Sequence, residues 1–530
     1  MPIFKREINH ATRDTPLEVD RINCGEPREI LLTKVMMARS SKIKMIAHGM
    51  CVLIVLITIL LSAYAHQVAG FTLPLPWDDE ASFVWPAMSF MEQGTLHSDY
   101  INPDRPVMWM PPGYMIILGT IFRVTGYSLG IARWISWAFL IVAYLAAIGM
   151  LWNKPIRLLT ISFCSALWLG ATFVAMGNIA RMDSLTFALA LCGILLIDRK
   201  RFYLGLAVLL SNVLIHPNAL YFLFIAIGYA LFIYRTKWPR MNKYDALALV
   251  LACACLGLYG IYVLKNLDAF LSDMAMQLGR KADRSPLAHL LSGPNLWYFC
   301  PLAIAALVCA VRRSHMLLYA GLAAACFCVS RIGREMWYEA YAEYSFVMMG
   351  IGILWIALHI FRKLRMNVVV SYLALVVVSF PVLLFHYRNG FIPGPRNWPT
   401  KLSWGWGMKT ETTPPYFIPS DYRTIRNEIE NMLSNFDHSP VKISFYPKGE
   451  GLFFHHAWEE KAHVFAPHFT AKCADIHVVR ESRYTPPWQQ ERSRRYVSAV
   501  PTGVQPLIVR DETEKWYIYL EDAPNNENAN

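Results

Sequence analysis

The sequence predicts a polytopic α-helical membrane protein with about eleven spans and a small α/β domain at its C-terminal end. Of its 530 residues, 55% are hydrophobic and only 17% are charged, and the mean hydropathy is +0.31. Soluble globular chains carry about 25% charged residues. A soluble enzyme is therefore excluded. The formal charge of +12 is compatible with nucleic-acid binding or with basic cytoplasmic loops, and its distribution along the chain decides between them.

Hydropathy divides the chain into three segments. Residues 1–45 are polar, end in a basic stretch and predict a cytoplasmic N-terminal segment. Residues 46–386 contain the apolar runs and predict a transmembrane domain. Residues 387–530 return to an ordinary polar composition. The apolar runs lie at about 46–65, 131–152, 156–176, 183–197, 202–216, 218–234, 245–264, 296–311, 316–330, 344–361 and 367–386.

Lys and Arg accumulate in alternate connections between these runs, as expected when every run crosses a membrane. The basic connections contain Lys154/Arg157, Arg199/Lys200/Arg201, Arg235/Lys237/Arg240/Lys243, Arg312/Arg313 and Arg362/Lys363/Arg365. This predicts a multi-pass protein of the inner (cytoplasmic) membrane, with its N-terminus in the cytoplasm and its C-terminus outside. The stretch 112–124 would invert every later loop if it crossed, so we expect it to lie along the interface. Much of the positive surplus is then topological, and no nucleic-acid partner is expected.

Three polar regions lie on the predicted outer side. They are a first outer loop at 66–130, a second loop at 265–295 and a short connection near 331–341. The C-terminal segment follows on the same side, which predicts a periplasmic domain. After a Pro/Gly/Trp-rich linker (387–419), we expect a helix at 421–435 and strands at 441–446, 475–480, 495–500, 506–510 and 515–520.

Three successive acids, Asp78, Asp79 and Glu80, stand in the first outer loop within WDDEASFVWPAMSFMEQGTLHSDY. Carboxylates at the membrane surface are poorly solvated and need a partner such as a cation, a metal or a substrate hydroxyl. A carboxylate in this position is a candidate general base. The alternative is a helix N-terminus, with Asp78 or Asp79 as the cap and Glu80 in the first turn.

The order of motifs around these acids resembles a known family. The acid pair is followed by a small-residue helix, Gly94, the motif PPGY and the segment FRVTGYSLGIAR, and GNIARMDSLTFALALCGIL comes later. This order resembles the first outer loop and fourth span of the GT-C glycosyltransferases that use polyprenyl-phosphate sugars. Protein O-mannosyltransferases and the lipid A aminoarabinose and galacturonic acid transferases are the most similar members. The resemblance covers about residues 46–235 by motif, and the later spans by topology alone.

The resemblance implies a GT-C fold and an inverting transfer from a polyprenyl-phosphate sugar to a glycan, lipid or protein acceptor at the outer surface. A base takes the acceptor proton, and cations stabilise the departing lipid phosphate. The family's base maps onto Asp79, with Glu80 beside it and Asp78 as the rival register. No cofactor is required, and a divalent metal is compatible with the chemistry but is not supported by any ligand spacing.

The phosphate side departs from the family pattern. Some relatives carry a Lys just before the diproline, whereas this sequence has Trp109 and Met110 there. Other outer cations are therefore the candidates for donor phosphate binding. These candidates are Arg280, Lys281, Arg284, Arg331, Arg334 and Arg105. The competing interpretation is a set of solvated loop charges that pair with anionic lipid headgroups.

Four further residues are candidates for substrate binding. Arg181 and Asp183 stand two positions apart at the outer end of a span, where an ion pair that only braces two helices is the alternative. Tyr338 and Tyr341 lie where relatives place a tyrosine that contacts phosphate or sugar, and interfacial belt aromatics are the alternative.

Two other classes of membrane protein compete with the transferase hypothesis. A secondary transporter would place ionisable groups near the midplane and repeat its halves, and neither feature is found in the sequence. A glycan ligase or polymerase that uses a diphosphate-linked donor also has many spans and outer arginines. The early acidic loop favours the monosaccharide family, and no motif encodes the identity of the sugar or the acceptor.

Overall fold

A computed structural model of the chain describes the helices, one sheet and the segments between many of them. The described residues include all of the elements used below. They are 28–69, 78–98, 105–154, 156–170, 176–234, 238–279, 316–333, 339–364, 419–437, 439–446, 461–465, 474–482, 507–510 and 514–520, with a few single positions between these ranges.

Most of the described chain is helical. The helices are α1 (Arg28–Ala69), α2 (Asp78–Gln93), α3 (Gly113–Thr125), α4 (Leu129–Leu151), α5 (Arg157–Trp168), α6 (Asp183–Asp198), α7 (Phe202–Val213), α8 (Ala219–Ile233), α9 (Lys243–Lys265), α10 (Leu267–Gly279), α11 (Met316–Gly333), α12 (Glu339–Lys363) and α13 (Pro419–Leu433). Two starts have side-chain caps. Ser128 accepts the Ile131 N–H ahead of α4, and Asn242 accepts the N–H groups of Tyr244 and Asp245 ahead of α9.

Helices cover most of the predicted spans. Three of them are long and apolar enough to cross a membrane, at Met45–Gln67, Leu129–Leu151 and Lys243–Lys265. Shorter apolar helices fall on the predicted runs at 156–176, 202–216, 218–234 and 316–330. The run 296–311 and all but two positions of the run 367–386 lie outside the described residues, so the number of eleven spans stays a prediction. The chain is thus helical and apolar enough for several membrane crossings.

Contacts between helix ends agree with the predicted up-and-down alternation. At one end, the starts of α2, α4, α6 and α12 meet through Glu80, Arg133, Asp183 and Tyr341. At the other end, Lys154 follows α4 and pairs with Asp198, the last residue of α6. The first group consists of predicted outer ends and the second of predicted inner ends. Which of the two ends faces the cytoplasm stays a prediction from the loop charges.

Helix α3 packs closely on α2. A Cβ added at Gly119 would lie 2.4 Å from the carbonyl oxygen of Ala87, so only glycine permits this approach of the two backbones. At the start of α3, the Gly113 N–H donates to the carbonyl of Leu214 at 2.9 Å. One face of α3 is buried, through Tyr114, Met115, Leu118 and Phe122. The stretch 112–124 is thus an amphipathic helix with a packed face.

The C-terminal segment contains a five-stranded sheet. Its strands are β1 (Val441–Tyr446), β2 (Ala462–Phe465), β3 (Ile476–Ser482), β4 (Leu507–Arg510) and β5 (Glu514–Leu520). They follow the order β2-β1-β3-β5-β4, with β1 parallel to β2 and β3, and with β5 antiparallel to β3 and β4. Ile425 and Ile429 of α13 pack on the face formed by Ile443, Val464 and Val478. The predicted strand 495–500 lies outside the described residues.

Candidate functional site

The three predicted acids begin helix α2. The helix starts at Asp78, so Asp78, Asp79 and Glu80 occupy its first turn, where the positive end of the helix dipole stabilises carboxylates. Glu80 is fully buried. The side chains of Asp78 and Asp79 are outside the description, but their backbone lies on the same turn as Glu80. The hydrogen bonds of Glu80 therefore fix the position of this turn.

Arg133 holds Glu80 with two hydrogen bonds. Its Nε donates to Oε1 at 2.9 Å and its terminal nitrogen donates to Oε2 at 2.6 Å, and both side chains are 0% exposed. The backbone N–H of Ala180 donates to Oε1 at 2.8 Å. A two-pronged pair fixes direction as well as distance. Glu80 thus joins the first turn of α2 to the start of α4 and to the segment before α6.

A second ion pair lies next to the first. Nε of Arg181 donates to Asp183 at 2.8 Å, and both side chains are 4% exposed. The Arg181 guanidinium lies 5.9 Å from the ring centre of Phe83, one turn along α2. The Tyr341 hydroxyl donates to the carbonyl of Asp183 at 3.2 Å. The structure therefore brings together Glu80, Arg181, Asp183 and Tyr341, four residues predicted from sequence.

Some polar atoms at this second pair are not satisfied. The other carboxylate oxygen of Asp183, Oδ1, and the hydroxyls of Ser184 and Thr186 are buried and have no hydrogen-bond partner in the described part of the chain. A buried acceptor without a donor carries a desolvation cost that a substrate hydroxyl would remove. These atoms have the chemistry of a sugar-binding position beside the α2 acids.

Five residues of the network were not among the predicted site residues. Arg133 is the partner of Glu80, and its signal was an arginine at the start of a span, where ionisable groups are usually paired. The Tyr114 hydroxyl and the Ser136 hydroxyl lie 3.2 Å apart. Burial raises the pKa of Tyr114, so its hydroxyl keeps its proton and remains able to donate.

His66 and Asn178 complete this set. The His66 ring is hydrogen-bonded to the Asn178 side chain and packs edge-on against Trp134, with 4.3 Å between ring centres. Asn178 stands two residues before Ala180, the backbone donor to Glu80. The end of α1 therefore supports the same segment that Glu80 binds. No sequence pattern pairs an isolated histidine with an asparagine 112 positions away.

The structure gives Arg105 a carboxylate partner. Its guanidinium donates to Asp273 Oδ1 at 2.6 Å, and the Met108 N–H donates to Asp273 Oδ2 at 2.6 Å. The hydrogen bond that Arg105 donates to Asp273 raises the pKa of Arg105. Asp273 is buried on α10. Arg105, predicted to bind a donor phosphate, thus joins the first outer loop to α10.

The remaining predicted cations are not described at the level of side chains. Arg331 lies in the last turn of α11 without a described side chain. Arg280, Lys281, Arg284, Arg334 and Tyr338 lie outside the described residues. Within the described part of the chain, no group of three or more His, Cys, Asp or Glu side chains stands together as a metal-binding set.

No protein-family model and no curated protein matches the sequence. Among solved structures, the chain is similar to apo ArnT from Cupriavidus metallidurans, with a TM-score of 0.43 and 13% identity over 89% of this chain and 98% of that chain. It is also similar to the oligosaccharyltransferase AglB from Archaeoglobus fulgidus in complex with an inhibitory peptide and a dolichol-phosphate. The TM-score is 0.42 and the identity is 12%, over 78% of this chain and 64% of that chain.

The apo form of the Archaeoglobus fulgidus oligosaccharyltransferase gives a TM-score of 0.42 and 11% identity. This chain spans 65% of the length of that enzyme.

Proposed function

We propose that the protein is an integral membrane glycosyltransferase that moves a sugar from a polyprenyl-phosphate donor to an envelope acceptor. The acceptor is lipid A or its core, another glycan or a protein, and the reaction takes place on the outer face of the cytoplasmic membrane. One observation carries the proposal. Glu80, Arg133 and the Ala180 N–H form a buried network that fixes the acidic first turn of α2.

The network separates the roles of the three acids. Both oxygens of Glu80 accept hydrogen bonds from Arg133 or Ala180, so Glu80 serves to position the turn. Asp79 is the proposed base, with Asp78 as the alternative register. It takes the proton of the acceptor hydroxyl while the hydroxyl oxygen bonds to the anomeric carbon. The bond from that carbon to the phosphate oxygen breaks, and its electron pair leaves with the lipid phosphate.

The charge that develops on the leaving phosphate requires cations at the same surface. The proposed donor phosphate ligands lie in the loops and span ends of the predicted outer side. They are Arg280, Lys281, Arg284, Arg331, Arg334 and the 28% exposed Arg105. Arg181, Asp183, Tyr338 and Tyr341 are the proposed substrate contacts. The segment 387–530 is the proposed acceptor-recognition domain, because its sheet and α13 follow the spans on that side.

The decisive experiment combines identification of the product with replacement of the acids. Mass spectrometry of envelope glycolipids and glycoproteins from cells with and without the gene identifies the transferred sugar and its acceptor. The purified protein, reconstituted with that donor, is then assayed as Asp79→Asn, Asp78→Asn and Glu80→Gln variants. We expect Asp79→Asn to abolish transfer while the thermal unfolding temperature in detergent is unchanged.

Glu80→Gln is the matched comparison, because it removes a charge one residue away. It leaves Arg133 buried without its counter-charge, so we expect a lower unfolding temperature as well as lower activity. Full transfer activity in all three variants would contradict the proposed function. Ion-gradient-driven uptake of a solute by proteoliposomes would instead support a transporter, and use of a diphosphate-linked donor would support a ligase.

A further inference from the structure

At the end of the helices opposite the acids, two turns present exposed cations. The turn between α6 and α7 contains Arg199, Lys200 and Arg201, Arg240 lies three residues before α9, and Lys243 is the first residue of α9. All five residues are exposed. In the ranges that the structure describes, none of them forms an ion pair with an acid. We call these five residues the basic turn site.

An aromatic contact brings the two turns together. The Phe202 ring lies 5.8 Å from the Tyr234 ring and 6.0 Å from the Trp238 ring, measured between centres. Phe202 directly follows Arg201, and Trp238 stands two residues before Arg240. The cations of the two turns therefore share one surface, although they are about forty residues apart in the sequence.

The acids nearest in sequence do not neutralise this surface. Asp198 is paired with Lys154 at 3.1 Å, and Lys154 also lies over the Tyr319 ring at 4.8 Å. Asp245 is buried, and it forms no ion pair with an exposed cation in the described ranges. Arg199 donates one hydrogen bond to the carbonyl of Gly149 at 2.8 Å, which holds its side chain at this end of the helices. Among the described residues, no acid pairs with these cations, so the described surface is positive.

Lys200 occupies a backbone conformation that favours glycine. Its φ is 64°, and it follows the end of α6 with its N–H bonded to Ile197 and the next N–H bonded to Leu196. This is the Schellman arrangement, in which the left-handed residue is usually glycine. A lysine at this position costs backbone stability. Lys200→Gly would therefore relieve this cost and remove the ammonium group at the same time.

Exposed aromatic and apolar side chains surround the cations. Trp238 is 47% exposed and Tyr244 is 69% exposed, and the Lys243 ammonium lies 5.2 Å from the centre of the Tyr244 ring. Trp and Tyr beside Lys and Arg at helix ends are characteristic of the headgroup layer of a bilayer. This places the basic turn site at the depth of lipid phosphates, whichever leaflet faces it.

We propose that the basic turn site binds the headgroup of an anionic phospholipid. Its phosphate is attracted by Lys200, Arg201 and Lys243, and its glycerol region rests against Trp238 and Tyr244. The proposal is independent of the transferase function, because it uses the opposite ends of the helices. A soluble polyanion such as RNA is the competing ligand, and the aromatic residues at membrane depth favour the lipid.

The test measures binding of phosphatidylglycerol and phosphatidylcholine by the full-length chain in detergent micelles, using native mass spectrometry and thermal unfolding. We expect phosphatidylglycerol to raise the unfolding temperature and phosphatidylcholine to leave it unchanged, because a ligand of the native state stabilises it. The triple variant K200Q/R201Q/K243Q should lose phosphatidylglycerol affinity by about fivefold for each charge removed.

Lys265→Gln is the matched control, because Lys265 is an exposed lysine at the opposite end of the same helix, α9. It should keep the wild-type affinity for phosphatidylglycerol. Lys200→Gly should raise the unfolding temperature without lipid by about 2–4 °C and still bind phosphatidylglycerol about fivefold more weakly. The proposal is overturned if the triple variant keeps its affinity, if Lys265→Gln loses as much, or if RNA displaces the lipid at equal phosphate concentration.

Discussion

Glu80 and Arg133 at one end of the helices are 0% exposed and bonded to each other, whereas Lys200 and Arg201 at the other end are exposed and unpaired within the described ranges. Both ends contain charged residues, but among the described ion pairs the one with both side chains fully buried lies at the first end. Burial of an ion pair costs desolvation energy that its mutual attraction does not always offset. Buried pairs are therefore costly to keep, while exposed cations at a membrane surface are not.

The two ends therefore suit different functions. A buried, two-pronged pair holds backbone segments in one geometry, which is what a group that must meet a reacting atom requires. Exposed cations do not fix backbone segments, and they suit a mobile anionic partner such as a lipid headgroup. The same contrast predicts how each end responds to substitution, since the loss of one partner matters in proportion to the burial of the other.

The largest effect is expected from Arg133→Met. The change leaves the Glu80 carboxylate buried without its cation, and breaking a buried pair on one side costs about 3–5 kcal/mol. The unfolding free energy of the purified protein in detergent, from thermal or denaturant unfolding, measures this loss. Glu80→Leu/Arg133→Met removes both charges and should recover most of the stability but not the transfer activity. A double variant as unstable as Arg133→Met would show that the pair does not act through its charges.

A second large effect is expected at the close contact between α2 and α3. Gly119→Ala places a Cβ 2.4 Å from the Ala87 carbonyl oxygen, so α2 and α3 must separate. Forced overpacking of this kind costs about 1–3 kcal/mol. Gly257→Ala in α9 is the matched control, because no atom lies within 4 Å of the added Cβ. It should be neutral or slightly stabilising in the same unfolding measurement, and equal losses in both variants would remove the packing explanation.

The sequence could predict the parts of this comparison that depend on local patterns. Hydropathy runs predicted most of the described helices, because an apolar segment of this length must bury its surface in lipid or in protein. The run of Asp78, Asp79 and Glu80 predicted the acidic first turn of a helix, because carboxylates are stabilised at a helix N-terminus. Arg181 and Asp183, two positions apart, were predicted to bind substrate with an ion pair as the alternative, and the structure shows the ion pair.

The partners of these groups could not be predicted, because they come from distant segments. Arg133 reaches Glu80 across 53 positions and Asp273 reaches Arg105 across 168. Such pairs depend on how helices pack, which a single sequence does not encode as a spacing. Arg105 shows the consequence. Its location in an outer loop suggested a phosphate ligand, while its position in three dimensions gives it a carboxylate.

An intermediate effect is expected from Asp273→Asn, because Arg105 is 28% exposed while Asp273 is 1% exposed. The asparagine oxygen can still accept the Met108 N–H, but the charge-assisted bond to Arg105 is lost. We expect a loss of about 1–2 kcal/mol in unfolding free energy. Arg105→Gln should cost a similar amount, and the double variant should cost less than the sum of the two. Strict additivity would mean that Arg105 and Asp273 do not stabilise each other.

The smallest effect is expected from Lys154→Met at the opposite end. Lys154 is 24% exposed and Asp198 is 10% exposed, and their 3.1 Å contact lies where water and headgroups screen it. Such partly exposed pairs contribute about 0.2–1 kcal/mol, far below the value expected for Arg133. The same unfolding experiment at low and high salt separates the two ends further. Added salt should reduce the contribution of Lys154 and leave that of Arg133 nearly unchanged, because ions do not reach a fully buried pair. If salt weakened both pairs equally, the proposed contrast between a fully buried ion pair at one end and a partly exposed ion pair at the other would be wrong.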